Sequence, residues 1–175
     1  MNKKKLKILG IIIAFAICFP LHFLYDKFPN FITSIFSPVN ESIWEHMKII
    51  FGSIILSGIF QKIIIKIKKE NFNNVCFSNF IAAITSIPIY LIMFLPLNYL
   101  LGESMFIAIT IMLITIIIAE YISYKIMNKD DKKLEKVTIL FITITYIIFT
   151  ILSYKPLKID IFKDPKTNTY GIQKR

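Results

Sequence analysis

Uncharged runs long enough to cross a lipid bilayer recur along this chain, and they constrain its fold more than any other feature. The hydrocarbon core of a bilayer is about 30 Å thick, so a helix needs roughly 20 apolar residues to cross it. Residues 71–102 carry no charged side chain, and neither do residues 137–154. A soluble domain has about 25% charged residues, whereas this chain of 175 residues has 18% and a mean hydropathy of +0.64. The sequence therefore predicts an all-α integral membrane protein, folded as a helical bundle.

We predict about five transmembrane helices, followed by a short C-terminal tail that folds back on the bundle. The apolar run after Lys7 continues to residue 25, which is longer than the core of a signal peptide, and no small-residue cleavage site follows it. It is therefore interpreted as an uncleaved first span. The predicted spans are about residues 6–25, 43–67, 77–101, 104–127 and 137–154, which gives a transmembrane domain at 1–154 and an extracytoplasmic tail at 155–175.

The second predicted span has the shortest uncharged run of the five. Only 13 residues are uncharged between Lys48 and Lys62, so this helix reaches spanning length only if its lysines extend their ammonium groups to the interface. Lys62 and Lys66 share a face near the end of the run, which favours that arrangement. A short re-entrant or surface helix is the alternative, and it would leave four spans.

The distribution of lysine predicts the orientation. The net charge is +10, and clusters of basic residues alternate with the apolar runs, as in the positive-inside pattern of membrane proteins. With the N-terminus inside, the inner segments hold 13 lysines, whereas the outer connections hold Lys27 and Lys48. The basic residues of the tail oppose this pattern, but early loops usually dominate. We therefore expect a plasma-membrane protein with a cytoplasmic N-terminus and an extracytoplasmic C-terminus, whose partner is the lipid bilayer and not nucleic acid.

Two features inside the predicted spans leave alternatives open. Pro88 and Pro96 fall in the third span, where they mark either a broken helix that lines a cavity, as in transporters, or an ordinary kink. Glu120 is expected near the inner interface, hydrogen-bonded to Tyr124 or reaching towards Lys125. A proton relay through Glu120 is the alternative.

Both histidines of the chain and three carboxylates are predicted to meet at the outer membrane surface. His22 and Asp26 are four residues apart at the outer end of the first span. Glu41 and Glu45 share a face at the start of the second span, and His46 lies about 100° around that helix from Glu45. The connection of 15 residues between the two spans is long enough for the helix ends to meet. The candidate functional cluster comprises His22, Asp26, Asn40, Glu41, Glu45 and His46.

This set of side chains suits a divalent metal. Imidazole nitrogens and carboxylate oxygens bind Zn²⁺, Mn²⁺ or Fe²⁺, and the candidate metal ligands are His22, Glu41, Glu45 and His46. His22 lies about one turn inside the apolar run, where an unpaired imidazole is costly, so we expect it to pack against the acidic start of the second span. The His-Glu-x-x-His pattern of zinc peptidases does not occur, and structural hydrogen bonding is the alternative to a metal or catalytic site.

The start of the second span and the tail carry further local signals. Asn40 and Ser37 are both favourable N-caps for this helix, and Trp44 is typical of the membrane interface. Polar and apolar residues alternate from residue 158 to residue 162, as in a short strand or a segment that lies on the protein. We therefore expect the tail to fold back near the start of the second span.

A specific motif occupies residues 39–48, with the sequence VNESIWEHMK. It resembles the signature of an uncharacterised family of small bacterial multi-pass membrane proteins. The resemblance extends to residues 21–25 and to residues 164–171, where the family tends to have glycine in place of Asn168. It implies an integral protein of the bacterial plasma membrane, and it brings no known activity, substrate or cofactor.

The sequence leaves three functions open. The first is a non-enzymatic accessory or interaction protein, because the sequence offers no complete catalytic constellation. The second is a metal-dependent hydrolase that acts at the membrane surface through the histidine and carboxylate cluster. The third is a small transporter built around a broken third helix. The sequence decides neither whether the protein is an enzyme nor which substrate, protein partner or oligomeric state it has.

Overall fold

A computed structural model describes residues 1–102 and 104–172, and most of this part of the chain is helical. Its elements are α1 (Lys3–Lys27), α2 (Phe31–Phe36), α3 (Ile43–Ile67), α4 (Val75–Leu101), α5 (Met105–Met127), α6 (Glu135–Tyr154) and a 3-10 turn (Asp160–Phe162). All the α-helices except α2 are long and apolar enough to cross a membrane. The predicted all-α bundle with five membrane-spanning helices is confirmed, and the helix bounds differ from the predicted spans by three residues or fewer.

The least hydrophobic of the five long helices, α3, is also the most buried. In its most apolar stretch 67% of the residues are buried, against 17–33% in the other four long helices. It packs against α1 on one side and α4 on the other. Gly52 and Gly58, with Ser53 and Ser57, give α3 a buried surface of small residues that lets neighbouring helices approach closely. α3 is thus long and apolar enough to span, which favours five spans over the short re-entrant or surface helix considered as the alternative.

The order of the helices gives the bundle two distinct ends. Leu6 of α1 packs with Ile65 of α3 and Met127 of α5, so the start of α1 lies beside the ends of α3 and α5. We call this the N-terminal end; it also includes the connections at residues 68–74 and 128–134. The opposite end, with α2 and residues 155–172, is called the tail end. The candidate site lies at the tail end.

The third span is a continuous helix. α4 extends through Pro88 and Pro96 without interruption. The hydroxyl of Thr85 donates to the carbonyl of Ile81, and that of Ser86 donates to the carbonyl of Ala83, so both remain within their own helix. The broken helix that motivated the transporter hypothesis is not found in α4, of which every residue is described.

Ser42 caps α3, so the two predicted caps, Asn40 and Ser37, are both wrong. The hydroxyl of Ser42 accepts the N–H of Glu45 at 3.4 Å. The side-chain oxygen of Asn40 instead accepts the N–H of Ser42 at 2.9 Å. Ser37 ends α2, and its hydroxyl donates to the carbonyl of Leu21. Asn40 therefore stabilises the connection before α3, and Ser37 holds the end of the additional helix α2 against α1.

The tail folds back over the start of α3, as predicted, although as a 3-10 turn instead of a strand. Phe162 is buried, and its ring lies 4.7 Å from that of Trp44, centre to centre. Trp44 also contacts Phe149 of α6, at 5.1 Å. Gly171 has a φ of +68°, and a Cβ at this position would lie 2.8 Å from the carbonyl oxygen of Ser153. A glycine is therefore needed where the tail passes the end of α6.

Candidate metal centre

Three of the predicted residues, His22, Glu41 and His46, converge at the tail end of the bundle. The Oε2 atom of Glu41 lies 3.8 Å from Nε2 of His22 and 3.6 Å from Nε2 of His46. The two imidazole rings are 5.4 Å apart, edge to face. One ligand atom from each residue lies within 4.8 Å of the other two. The predicted packing of His22 against the start of α3 is confirmed, and we call these three residues the His–Glu–His cluster.

The first turn of α3 fixes the ring of His46. Its Nδ1 atom lies 3.0 Å from the carbonyl oxygen of Ser42, one turn earlier in the chain. A carbonyl oxygen only accepts hydrogen bonds, so Nδ1 carries a proton and Nε2 is the ring atom that faces Glu41. Metal-binding histidines are usually oriented in this way, through the ring nitrogen that does not touch the metal.

His22 reaches the cluster from α1. Its ring stacks on Phe23, with the ring centres 4.9 Å apart. Its Nδ1 atom is buried and has no hydrogen-bond partner within residues 1–102 and 104–172. Leaving a buried polar atom unpaired is costly. A bound water or ligand at this nitrogen would remove that cost.

Glu41 is held by the tail, so its two oxygens face different groups. Nζ of Lys166 donates to Oε1 at 3.0 Å, which leaves Oε2 directed at the two histidines. This hydrogen bond and the charge of the carboxylate raise the pKa of Lys166 above its usual range. The backbone N–H of Glu41 lies 3.5 Å from Oδ2 of Asp164. The side-chain amide of Asn40 donates to the carbonyl of Gly171 at 3.0 Å, which also ties this segment to the tail.

A cavity of about 680 Å³ opens beside the His–Glu–His cluster. One wall is the tail, where the buried Asp164 accepts the backbone N–H groups of Lys166 and Thr167 at 2.8 and 3.4 Å. These bonds hold the loop in a defined shape. The residues that line the cavity are His22, Tyr25, Asp26, Pro29, Pro38, Val39, Asn40, Glu41, Asp164, Lys166 and Thr167. The predicted residues Asp26 and Asn40 thus belong to the cavity wall.

Glu45 has a different set of partners from Glu41. Its Oε2 atom lies 2.6 Å from Nζ of Lys48 and accepts the N–H of Val39 at 3.1 Å. Its Oε1 atom accepts the hydroxyl of Ser153 at 2.5 Å. The expectation that Glu41 and Glu45 share a helical face is wrong, because α3 begins at Ile43 and Glu41 precedes it. The geometry thus supplies three of the four predicted metal ligands and leaves Glu45 in the ion pair.

Two lysines near the site were not recognised as part of it. Lys48 was placed in the outer connection, whereas it is fully buried in α3 and donates to the carbonyls of Ser34 and Ser37. Its position three residues after Glu45, inside a span, is the signal that identifies an ion pair. Lys166 lies 125 residues from Glu41 in sequence, and no local pattern connects them.

A second buried polar cluster lies at the N-terminal end and corrects the interpretation of Glu120. Oε2 of Glu120 is 3.1 Å from Nζ of Lys7, and Oε1 accepts the amide of Gln61 at 2.9 Å. Lys7 also donates to Oδ1 of Asn79 at 2.8 Å. The partners predicted at positions 124 and 125 are wrong, because Lys7 belongs to the interior and not to the exposed basic segment. The cluster joins α1, α3, α4 and α5.

The His–Glu–His cluster fits a divalent metal better than the second cluster does. Zn²⁺ binds nitrogen and oxygen at about 2.0–2.1 Å, which places tetrahedral ligands about 3.4 Å apart. The two histidine–carboxylate distances, 3.6 and 3.8 Å, are a few tenths of an ångström longer than this spacing, and all three ligand atoms lie within 4.8 Å of one another. At the N-terminal end Lys7 and Gln61 contact both oxygens of Glu120, whereas Lys166 contacts only Oε1 of Glu41. Three protein ligands beside a cavity also leave a coordination position for water or substrate.

Comparisons with known proteins give a family and no activity. The model of a family described as "Family of unknown function (DUF6512)" matches residues 1–172. No curated protein and no solved structure matches the chain. The chemistry of the site therefore has to be inferred from its own residues.

Proposed function

We propose that this chain, which belongs to the DUF6512 family of unknown function, binds a divalent transition metal at the tail end of its bundle. His22, Glu41 and His46 are the proposed ligands. Zn²⁺ suits two imidazoles and one carboxylate well, and Mn²⁺ and Fe²⁺ are chemically compatible with them. The convergence of these three side chains from α1 and the start of α3 is the observation that carries the proposal.

The cavity beside the cluster favours a catalytic metal over a structural one. Structural zinc sites are closed by four protein ligands, whereas catalytic sites keep one position for water or substrate. The three proposed ligands leave such a position, and the cavity of about 680 Å³ adjoins it. A metal here would supply a hydroxide nucleophile by lowering the pKa of a bound water. We therefore infer metal-dependent hydrolysis at the membrane surface as the activity.

The chain's own residues assist this chemistry in two ways. The hydrogen bond from His46 to the carbonyl of Ser42 keeps one lone pair directed at the metal position. The contact between Lys166 and Oε1 of Glu41 leaves the second oxygen for the metal, and Lys166 also lines the cavity where an anionic substrate group would lie. These contacts pre-orient the ligands before the metal binds.

The proposal includes the orientation in the plasma membrane. Thirteen lysines in the segments 3–7, 62–69 and 125–136 support a cytoplasmic N-terminal end. The tail, residues 155–175, is then extracytoplasmic and follows a transmembrane domain of residues 1–154. The His–Glu–His cluster would meet its substrate at the outer surface, near the depth of the lipid headgroups.

Metal analysis of the purified protein tests the proposal. We expect about one equivalent of Zn²⁺ per chain after zinc loading and dialysis, measured by plasma mass spectrometry. A His22→Ala/His46→Ala double variant should lose it, because one carboxylate retains a metal poorly. A Cys18→Ala/Cys76→Ser double variant is the matched control, since it removes both thiols and leaves the cluster intact.

Wild-type protein that retains no metal would contradict the proposal. That result would favour a non-enzymatic accessory or interaction protein, the function that needs no catalytic constellation. Equal metal content in the wild type and in the double histidine variant would assign the metal to another site. The transporter hypothesis has lost its structural basis, because α4 is continuous.

A further inference from the structure

A second cavity, of about 840 Å³, lies at the N-terminal end of the bundle. It opens between the last turns of α3, the start of α4 and the start of α6, at the level where the spans begin and end. Its lining includes Asn74, the lysines Lys62, Lys133 and Lys136, the carboxylates Asp131 and Glu135, and apolar side chains of α3 and α6. In a bilayer crossed by the five long helices, lipid headgroups would lie at this level.

The walls of this cavity are held in place by Asn74. Its side-chain oxygen accepts the N–H of Lys132 at 2.9 Å, and its amide donates to the carbonyl of Asp130 at 2.9 Å. The two connections of the N-terminal end are thereby joined, although they are more than 50 residues apart in sequence. Asn74 is itself buried. The cavity is therefore a built feature of the fold and not a gap between loose loops.

The carboxylates that line the cavity have hydrogen-bond or ion-pair partners, whereas the ammonium groups of two of its lysines have none among the described residues. Both carboxylates in its wall have partners, since Glu135 is paired with Lys62 and Asp131 accepts the backbone N–H of Lys133. The ammonium groups of Lys133 and Lys136 form no ion pair within residues 1–102 and 104–172. Both side chains are exposed and line the cavity. The lining thus holds three lysines and two carboxylates, so positive charge is in excess, and two of the lysines have no carboxylate partner in the described part of the chain.

Apolar side chains continue from the cavity into the membrane-spanning part of the bundle. Ile65 of α3 and Val137 and Ile139 of α6 line the cavity. On α6 the run of exposed apolar residues extends further, to Leu140 and Phe141. An occupant that is anionic at one end and apolar at the other would therefore meet lysines first and hydrocarbon-like surface beyond them.

We propose that this cavity binds an anionic phospholipid, with the phosphate at Lys133 and Lys136 and the acyl chains along α6. Basic pockets between membrane helices are suited to anionic headgroups. A zwitterionic lipid places its own cation beside the phosphate and gains less from the two lysines. The inference does not depend on the metal site, which lies at the opposite end of the bundle.

Native mass spectrometry of the detergent-solubilised protein tests this. Phosphatidylglycerol should be retained at one molecule per chain, whereas phosphatidylcholine at the same concentration should bind at least tenfold more weakly. A Lys133→Gln/Lys136→Gln double variant should weaken the binding of phosphatidylglycerol by about 30-fold. Lys27→Gln/Lys158→Gln is the matched control, because it removes two exposed lysines at the tail end, and its affinity should stay within about twofold of the wild type.

Other outcomes would overturn the proposal. Equal retention of both lipids, or an equal loss in the control variant, would show that general charge and not the cavity binds the lipid. Glycerol 3-phosphate that displaces the lipid at the lipid's own concentration would identify a site for soluble phosphate. Thermal unfolding of both variants without lipid checks that each is folded.

Discussion

Within residues 1–102 and 104–172, two lysines are buried in the apolar interior, and each forms an ion pair with a buried glutamate. Lys7 lies 3.1 Å from Glu120, and Lys48 lies 2.6 Å from Glu45. Charges removed from water need a close partner, and loss of one partner leaves the other uncompensated. The pair of Lys7 and Glu120 joins α1 to α5 at the N-terminal end, whereas Glu45 and Lys48 pair within α3 at the tail end.

Lys48→Met is expected to lower the free energy of unfolding by about 3–5 kcal/mol, because Glu45 would be left buried and unpaired. Adding Glu45→Gln should restore part of this loss. Lys62→Met is the matched control, since its ion pair with Glu135 is exposed and worth about 0–1 kcal/mol. Denaturant titration in detergent measures the free energy of unfolding of the three variants. Similar losses for Lys48→Met and Lys62→Met would show that burial of the pair is unimportant.

The partner of a single site residue could be predicted only where the depth of that residue in the membrane required one. His22 lies inside an apolar run, so it needed a partner, and the acidic start of α3 was the nearest one in sequence. The choice between Glu41 and Glu45 depended on where the helix begins. Because Ser42 is the cap, Glu41 lies outside the helix and turns to the histidines, while Glu45 turns to Lys48. A shift of two residues in the cap changes which carboxylate is available.

At the scale of elements, the contact between α1 and α3 depends on a glycine. The carbonyl of Gly10 accepts the hydroxyl of Ser57 at 2.8 Å. A Cβ at Gly10 would lie 2.3 Å from Nε2 of Gln61 and 2.9 Å from Oε1 of Glu120. Gln61 and Glu120 of the buried polar cluster therefore occupy the space that a side chain at position 10 would need.

Gly10→Ala is expected to destabilise the protein by about 1–3 kcal/mol, because the new methyl group displaces the hydrogen-bonded amide of Gln61. A Gly10→Ala/Gln61→Ala double variant should lose less than the sum of the two single variants. Gly52→Ala is a milder comparison, since its nearest atom is the hydroxyl of Tyr146 at 3.2 Å. Thermal unfolding in detergent compares the stability of these variants with that of the wild type. Strict additivity of the two changes would contradict this steric explanation.

The long helices were predictable because each must hold about 20 apolar residues to cross a bilayer. The short helix α2 was not, since six residues between two turns carry no periodic signal. The composition of α3 was misleading for a physical reason. Ser57, Gln61 and Lys48 are buried and hydrogen-bond to α1, α5 and α6, so they reduce the hydropathy of α3 without exposing it to water. Sequence composition does not distinguish such a central helix from one at the surface.

At the scale of the whole molecule, polar chemistry is concentrated at the two ends of an apolar bundle. The tail end carries the His–Glu–His cluster and its cavity, and the N-terminal end carries the basic cavity and the pair of Lys7 with Glu120. The tail could be placed over the site from sequence because its apolar residues, such as Phe162, needed a surface to cover. Its individual contacts could not, because Lys166 and Asp164 meet Glu41 only in the folded chain.

Cysteine labelling in intact cells tests which end faces outwards. In a Cys18→Ala/Cys76→Ser background, a cysteine at position 168 of the tail should react with a membrane-impermeant maleimide. A cysteine at position 2 should react only after permeabilisation, because the lysine-rich end is retained in the cytoplasm. The reverse pattern would place the His–Glu–His cluster in the cytoplasm. Labelling of both positions in intact cells would contradict an odd number of spans.

The most direct test of the proposed metal centre is X-ray absorption at the zinc edge of the loaded, purified protein. The proposed ligands predict nitrogen and oxygen neighbours at about 2.0–2.1 Å, with the outer-shell scattering of two imidazole rings. A Glu41→Gln variant should lose the metal or retain only the imidazole pattern. A spectrum with sulfur at about 2.3 Å, or with oxygen alone and no imidazole scattering, would contradict ligation by His22, Glu41 and His46.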